Sequence, residues 1–172
     1  MRLRSRVFRA HDPRWSFAPI SGEGAALHGG RFNPRGVPAL YASFLLETAW
    51  REAQQGFTVK VQPALVCAYD VDCADVLDLT TAAGLAEADM DAADLAAPWR
   101  DLVADGMDPP TWAVARRLIG RGVAGVVVPS FAPGAGPADR NAVFWRWGDA
   151  PPHRVIVVDD LGRLPRDGRS WS

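Results

Sequence analysis

Short β-rich runs are spread along the whole chain, and this distribution, more than any single motif, limits what it can fold into. Residues 4–9, 38–42, two runs within 57–71 broken at Pro63, then 75–79, 123–128, 141–147 and 154–159 carry strand-forming residues. Gly- and Pro-rich passages separate them, the longest from about 12 to 38. Only two segments show clear helical periodicity. The first is 44–55, with Ser43 as N-cap and Gly56 as stop; the second is 111–120, opened by Asp108-Pro109-Pro110-Thr111 and stopped by Gly120 and Gly122. Strands scattered in this way give an α+β domain with mainly antiparallel strands and flanking helices. A length of 172 residues suits one such domain, and no repeat or linker divides it.

Composition removes several functional classes. The 19 basic and 20 acidic side chains nearly cancel, giving a net charge of −1, so a dedicated nucleic-acid binder is not expected. Lys60 is the only lysine, an arginine bias that permits anion recognition and also follows from base composition. Cys67 and Cys73 form no CxxC or Cys/His pattern, so neither a disulfide framework nor a metal site is expected. No run resembles a secretory signal or a membrane span, and the expectation is a cytoplasmic protein. Between Asp70 and Asp108, eleven carboxylates are balanced by Arg100 alone. That stretch reads as a solvated helical surface or as a face that gates or binds a partner.

Three stretches carry chemistry. At 100° per residue, Leu45, Thr48, Ala49, Glu52 and Ala53 share one face of helix 44–55, while Glu47 and Arg51 form an i, i+4 pair on the other. Glu52 therefore projects from the face that meets the core. A carboxylate there pairs with a buried arginine or lines a cleft, because burial without a partner is costly. The second stretch, Gly29-Gly30-Arg31-Phe32-Asn33-Pro34-Arg35-Gly36, leads into the strand bearing Tyr41; its glycines and arginine suit a phosphate, and Asn33-Pro34 with Gly36 sets a turn. It is neither a P-loop nor a GxGxxG fingerprint. The third stretch follows the strand 123–128 and carries Ser130 and then Asn141, read as hydrogen-bonding groups. Ser130 has no GxSxG context, and His11, His28 and His153 form no triad pattern.

The run Gly29 to Ser43, followed by Glu47-Thr48-Ala49-Trp50-Arg51-Glu52, resembles the opening motif of the RES domain family, toxins of the RES–Xre type of bacterial toxin–antitoxin systems. Arg121 to Ser130, with Asn141-Ala142-Val143-Phe144 after a variable loop, is similar to the family's second block. The resemblance spans residues from about 6 to 158 within a single RES-type domain, 1–172. Arg31, Glu52 and Ser130 match the name-giving arginine, glutamate and serine, and Tyr41 and Asn141 match further polar positions of the pocket. Glu47 is the rival carboxylate, which the helical-face argument sets below Glu52. Phe32 departs from the tryptophan of many members but keeps the aromatic character.

The resemblance implies a fold similar to that of ADP-ribosyltransferases and an enzyme that breaks the nicotinamide–ribose bond of NAD, with no metal. It implies Glu52, Arg31 and Tyr41 as catalytic residues, and Arg31, Tyr41, Ser130, Asn141 and Gly30 as residues that bind NAD. It further implies a cognate Xre-like antitoxin, and transfer of ADP-ribose to a protein, with phosphate or water as alternative acceptors. A non-catalytic module holding a phosphorylated ligand through Arg31 and Arg35 is the reading from a different class.

Overall fold

The computed structural model describes residues 1–54 and 63–171. The β-rich runs assemble into one seven-stranded sheet: β1 (Leu3–His11), β2 (Leu40–Ser43), β3 (Leu65–Cys73), β4 (Val76–Asp78), β5 (Gly125–Pro129), β6 (Arg140–Phe144) and β7 (His153–Val157), ordered β4-β5-β6-β2-β1-β3-β7. Every neighbouring pair is antiparallel except β4 and β5. The mixed α+β class with a mainly antiparallel sheet is thus as expected. The first of the two runs expected within 57–71 falls largely on residues outside the described set, as does the expected helix stop at Gly56.

The helices are α1 (Glu23–His28), α2 (Leu46–Gln54), α3 (Ala82–Glu87), α4 (Ala92–Ala96), α5 (Trp99–Ala104) and α6 (Pro110–Gly120). The passage from 12 to 38 contains α1 and a single 3-10 turn at Pro13–Trp15. The parallel pair β4 and β5 needs a long crossover, and α3 to α6 supply it. Alternation along the strands sorts side chains to two faces. Val76, Val127, Ala142 and Phe144 join one buried cluster with Val7 and Tyr69. Leu77, Val126, Val128 and Val143 face the other way and pack against the crossover through Leu79, Met90, Leu95, Val114 and Leu118. The acidic stretch is therefore more than a solvated surface, because its Leu79, Ala88, Met90 and Leu95 pack in the cluster that covers this face of β4, β5 and β6.

Two local expectations change. Helix α2 begins at Leu46, so Leu45 precedes the first turn and does not share the inner face; it is 42% exposed. Ser43 is the last residue of β2 and not an N-cap, its hydroxyl being drawn to Asn141 on β6. The ladder between β1 and β2 is limited to the pairing Phe8↔Ser43. Residues of both strands at this short seam line a cavity.

Leu118 is fully buried between α6 and the sheet. Leu118→Ala should lower the unfolding free energy by about 2–5 kcal/mol, the usual range for a leucine truncated in a packed core. Urea denaturation, compared with the wild type at equal m-value, measures it.

Candidate active site

A cavity of about 350 Å³ lies over β5, β6, β2 and β1 at that seam. Its size is at the lower end of small-molecule sites, which run from about 300 to 1,000 Å³. Gly30, Arg31, Tyr41, Glu52 and Asn141 all line it, together with Phe8, Val128, Phe131, Trp99 and Arg100. Residues about 110 positions apart in sequence meet there because strand register brings them level. Ser43 stands opposite Asn141 on β6, and Asn141 opposite Val128 on β5, with Ser130 just past the end of β5.

Glu52 enters from α2 and is received by the sheet. Ser130 Oγ donates to Glu52 Oε1 at 2.6 Å, and Asn141 Nδ2 donates to the same oxygen at 2.6 Å. Each donor is itself oriented. Ser43 Oγ donates to Asn141 Oδ1 at 2.7 Å, which turns the amide so that its N–H group faces the carboxylate. Ser130 Oγ accepts from Ala132 N–H at 3.2 Å, which leaves its own proton for Glu52. Both of these donors are neutral, and together they fix the orientation of the carboxylate. Glu52 lines the cavity, as the cleft reading expects, and shares it with Arg31. Glu47 is exposed and lies outside the cavity.

Helix α2 is itself anchored by a residue that no motif marked. Asp139, at the end of the loop before β6, accepts from Thr48 Oγ1 on the inner face of α2 and from Gly136 N–H at 2.8 Å. Arg51 Nη1 reaches both of its oxygens at 3.1 Å. Arg51 thus pairs with Asp139 and not with Glu47, correcting the expected i, i+4 pair. A surface pair on one helix is worth only about 0.3–0.5 kcal/mol, whereas Asp139 is a carboxylate already fixed by two other donors.

The turn 29–36 forms the opposite wall. Gly36 adopts φ +86°, and Val37 N–H donates to Pro34 O at 3.2 Å, so the expected turn is present. Tyr41 Oη donates to Asn33 Oδ1 at 2.6 Å and accepts from Phe32 N–H at 3.0 Å. Burial pushes the Tyr41 phenol well above its usual range, so it remains a protonated donor to Asn33. Gly30 is a glycine for steric reasons: a Cβ would sit 2.6 Å from Tyr41 Oη and 2.7 Å from Asn33 Oδ1. Its N–H donates to Asn33 O at 2.9 Å and its carbonyl accepts from Trp112 Nε1 at 2.7 Å, so this glycine holds the turn and its amide is not presented to an anion.

Arg31 is half-buried, with its guanidinium 4.2 Å from the centroid of Phe131. Its Nη1 donates to Leu95 O at 3.0 Å in the last turn of α4 and to Ala97 O at 2.6 Å just past its end. Desolvation holds its pKa below the ordinary arginine value, opposed by the Glu52 charge. Arg35 is exposed and does not line the cavity. Among the described residues no group of three or more His, Cys, Asp or Glu could hold a metal, and no helix is long and apolar enough to cross a membrane.

A family model described as the RES domain matches residues 6–167. The chain belongs to the RES domain family. The fold is similar to that in the crystal structure of the M. tuberculosis MbcT–MbcA toxin–antitoxin complex, with a TM-score of 0.59 and 22% identity, covering 92% of this chain and 84% of that chain. No curated protein matches the chain.

Thr48, Gly136 and Arg51 hold the Asp139 carboxyl below its ordinary 3.8. A depressed folded-state pKa stabilises fully above the ordinary value, and that stability is lost as pH falls through the folded-state value. Thermal unfolding followed from about pH 6 to pH 2 should show a loss that Asp139→Asn flattens, with the variant less stable than wild type at neutral pH.

Proposed function

We propose that this protein is an NAD-cleaving toxin of a toxin–antitoxin system, a mono-ADP-ribosyltransferase whose acceptor is a cellular protein. The observation that carries this reading is Glu52, fixed by Ser130 and Asn141 inside a cavity that Arg31 and Tyr41 also line. Membership of the RES domain family, and the toxin–antitoxin complex to which the fold is similar, support it.

The residue types suit rupture of an N-glycosidic bond. As the bond from the ribose C1′ to the nicotinamide nitrogen breaks, its electron pair passes to the ring nitrogen, which neutralises the pyridinium. Nicotinamide therefore leaves without a general acid. Positive charge develops on the ribose, and a preorganised carboxylate stabilises it without moving. Glu52 takes that role and accepts from a ribose hydroxyl. Ser130 and Asn141 keep the carboxylate oriented while substrate enters and leaves. Tyr41 contributes an aromatic wall on which a ring stacks, and Arg31 gives the opposite wall positive charge. The acceptor's nucleophile then attacks C1′ and completes the transfer. A cavity of about 350 Å³ takes one nucleoside half of a dinucleotide, leaving the other half at its mouth. An antitoxin that obstructs this mouth would silence the enzyme in its own cell.

The binding-module reading has less support, because Arg35 lies away from the cavity and a carboxylate would repel a phosphate held beside it. Nicotinamide release from NAD separates the alternatives. Glu52→Gln should lower release at least about 100-fold while NAD binding stays within a few-fold of wild type, and Ser130→Ala should lower it less, by about tenfold. Release that depends on added lysate and leaves an ADP-ribose mass on a protein identifies the transferase. Release with phosphate or water alone identifies an NAD-degrading enzyme, and no release under any condition overturns the catalytic reading.

A further inference from the structure

In the stretch from Asp70 to Asp108 the single basic residue, Arg100, stands at the rim of the cavity. Eleven carboxylates share that stretch, yet among the described residues no hydrogen bond or ion pair engages the Arg100 guanidinium. Its contact is with the face of Trp99, which also lines the cavity, 5.4 Å from the ring centroid. Arg31, by contrast, spends Nη1 on the carbonyls of Leu95 and Ala97. Those bonds fix the α4–α5 connection, and α5 begins two residues further on with Trp99 and Arg100.

Arg31 and Arg100 line the same cavity, and the Arg100 charge adds to the burial that lowers the Arg31 pKa. Like charges brought together at a rim repel, and an anion placed between them relieves that repulsion. Arg100 keeps its donors available, and stacking on Trp99 limits the rotamers it must lose on binding.

We propose that Arg100 is the phosphate-binding residue of this site, holding the pyrophosphate of the dinucleotide at the cavity mouth, and that Arg31 acts mainly as the clamp that positions it. The assignment rests on the NAD-cleaving reading above and adds to it a residue outside the family's motifs. Phosphate oxyanions reach such a site either within the dinucleotide or as free inorganic phosphate, and the dinucleotide is favoured because exposed Arg100 lines the same cavity as Glu52.

Calorimetric titration of the full chain with ADP-ribose and with inorganic phosphate tests it. Arg100→Gln should weaken ADP-ribose binding about tenfold, the usual effect of losing charge-assisted hydrogen bonds at a partly solvated site, and Arg100→Lys should recover part of the loss. Wild-type affinity should fall with added salt, and that of Arg100→Gln should fall less. Equal ADP-ribose binding by wild type and Arg100→Gln overturns the assignment, and a loss confined to inorganic phosphate overturns it in favour of a phosphate acceptor site. A wild-type protein that binds neither NAD nor ADP-ribose overturns the underlying NAD reading as well.

Discussion

A carboxylate held half-buried above a sheet must be solvated by the protein, and the site is built around meeting that need for Glu52. Ser130 and Asn141 both give a proton to Oε1, and both are themselves oriented, by Ala132 N–H and Ser43 Oγ. Meeting the need requires three strands in fixed register, since Ser43, Asn141 and Ser130 come from β2, β6 and the end of β5. It also requires that α2 stay at one height above them, which Asp139 secures through Thr48 and Arg51. A shift of one residue in the β2–β6 register would turn Asn141 to the opposite face and leave Glu52 without this donor.

The wall facing Glu52 is organised by the same kind of economy. Tyr41, Asn33 and Gly30 form a compact unit in which a phenol, an amide and a missing side chain fit together. Trp112 and Thr111 at the start of α6 bind the carbonyls of Gly30 and Arg31, so the crossover helix that covers the sheet also holds the turn. Arg31 then ties the turn to the end of α4. The acidic crossover is thereby coupled to the cavity at several points, and its one arginine arrives at the rim as a consequence.

Much of this was legible in the sequence, for reasons specific to each element. Helical period alone placed Glu52 on the inner face of α2, because Thr48, Ala49 and Ala53 repeat at the same angle. The glycines and Asn33-Pro34 marked a turn that the structure contains. Leu45 and Ser43 were misplaced because the helix begins later than the local signals indicate, and Ser43 finds a stronger partner across the sheet than at a helix end. The contact between Asp139 and Thr48 left no signal, since the two lie 91 positions apart and Asp139 sits in no recognisable pattern.

The sequence by itself determined the class of fold, the two clear helices and the residue types available for chemistry, because period, turn residues and burial preference are local properties. Only the tertiary structure decided which of those residues meet. Strand order and register are set by long-range burial, and they alone bring Ser43, Asn141 and Ser130 to Glu52. They also turn Arg31 from a free cation into a clamp and leave Arg100, one arginine among eleven carboxylates, at the mouth of the cavity.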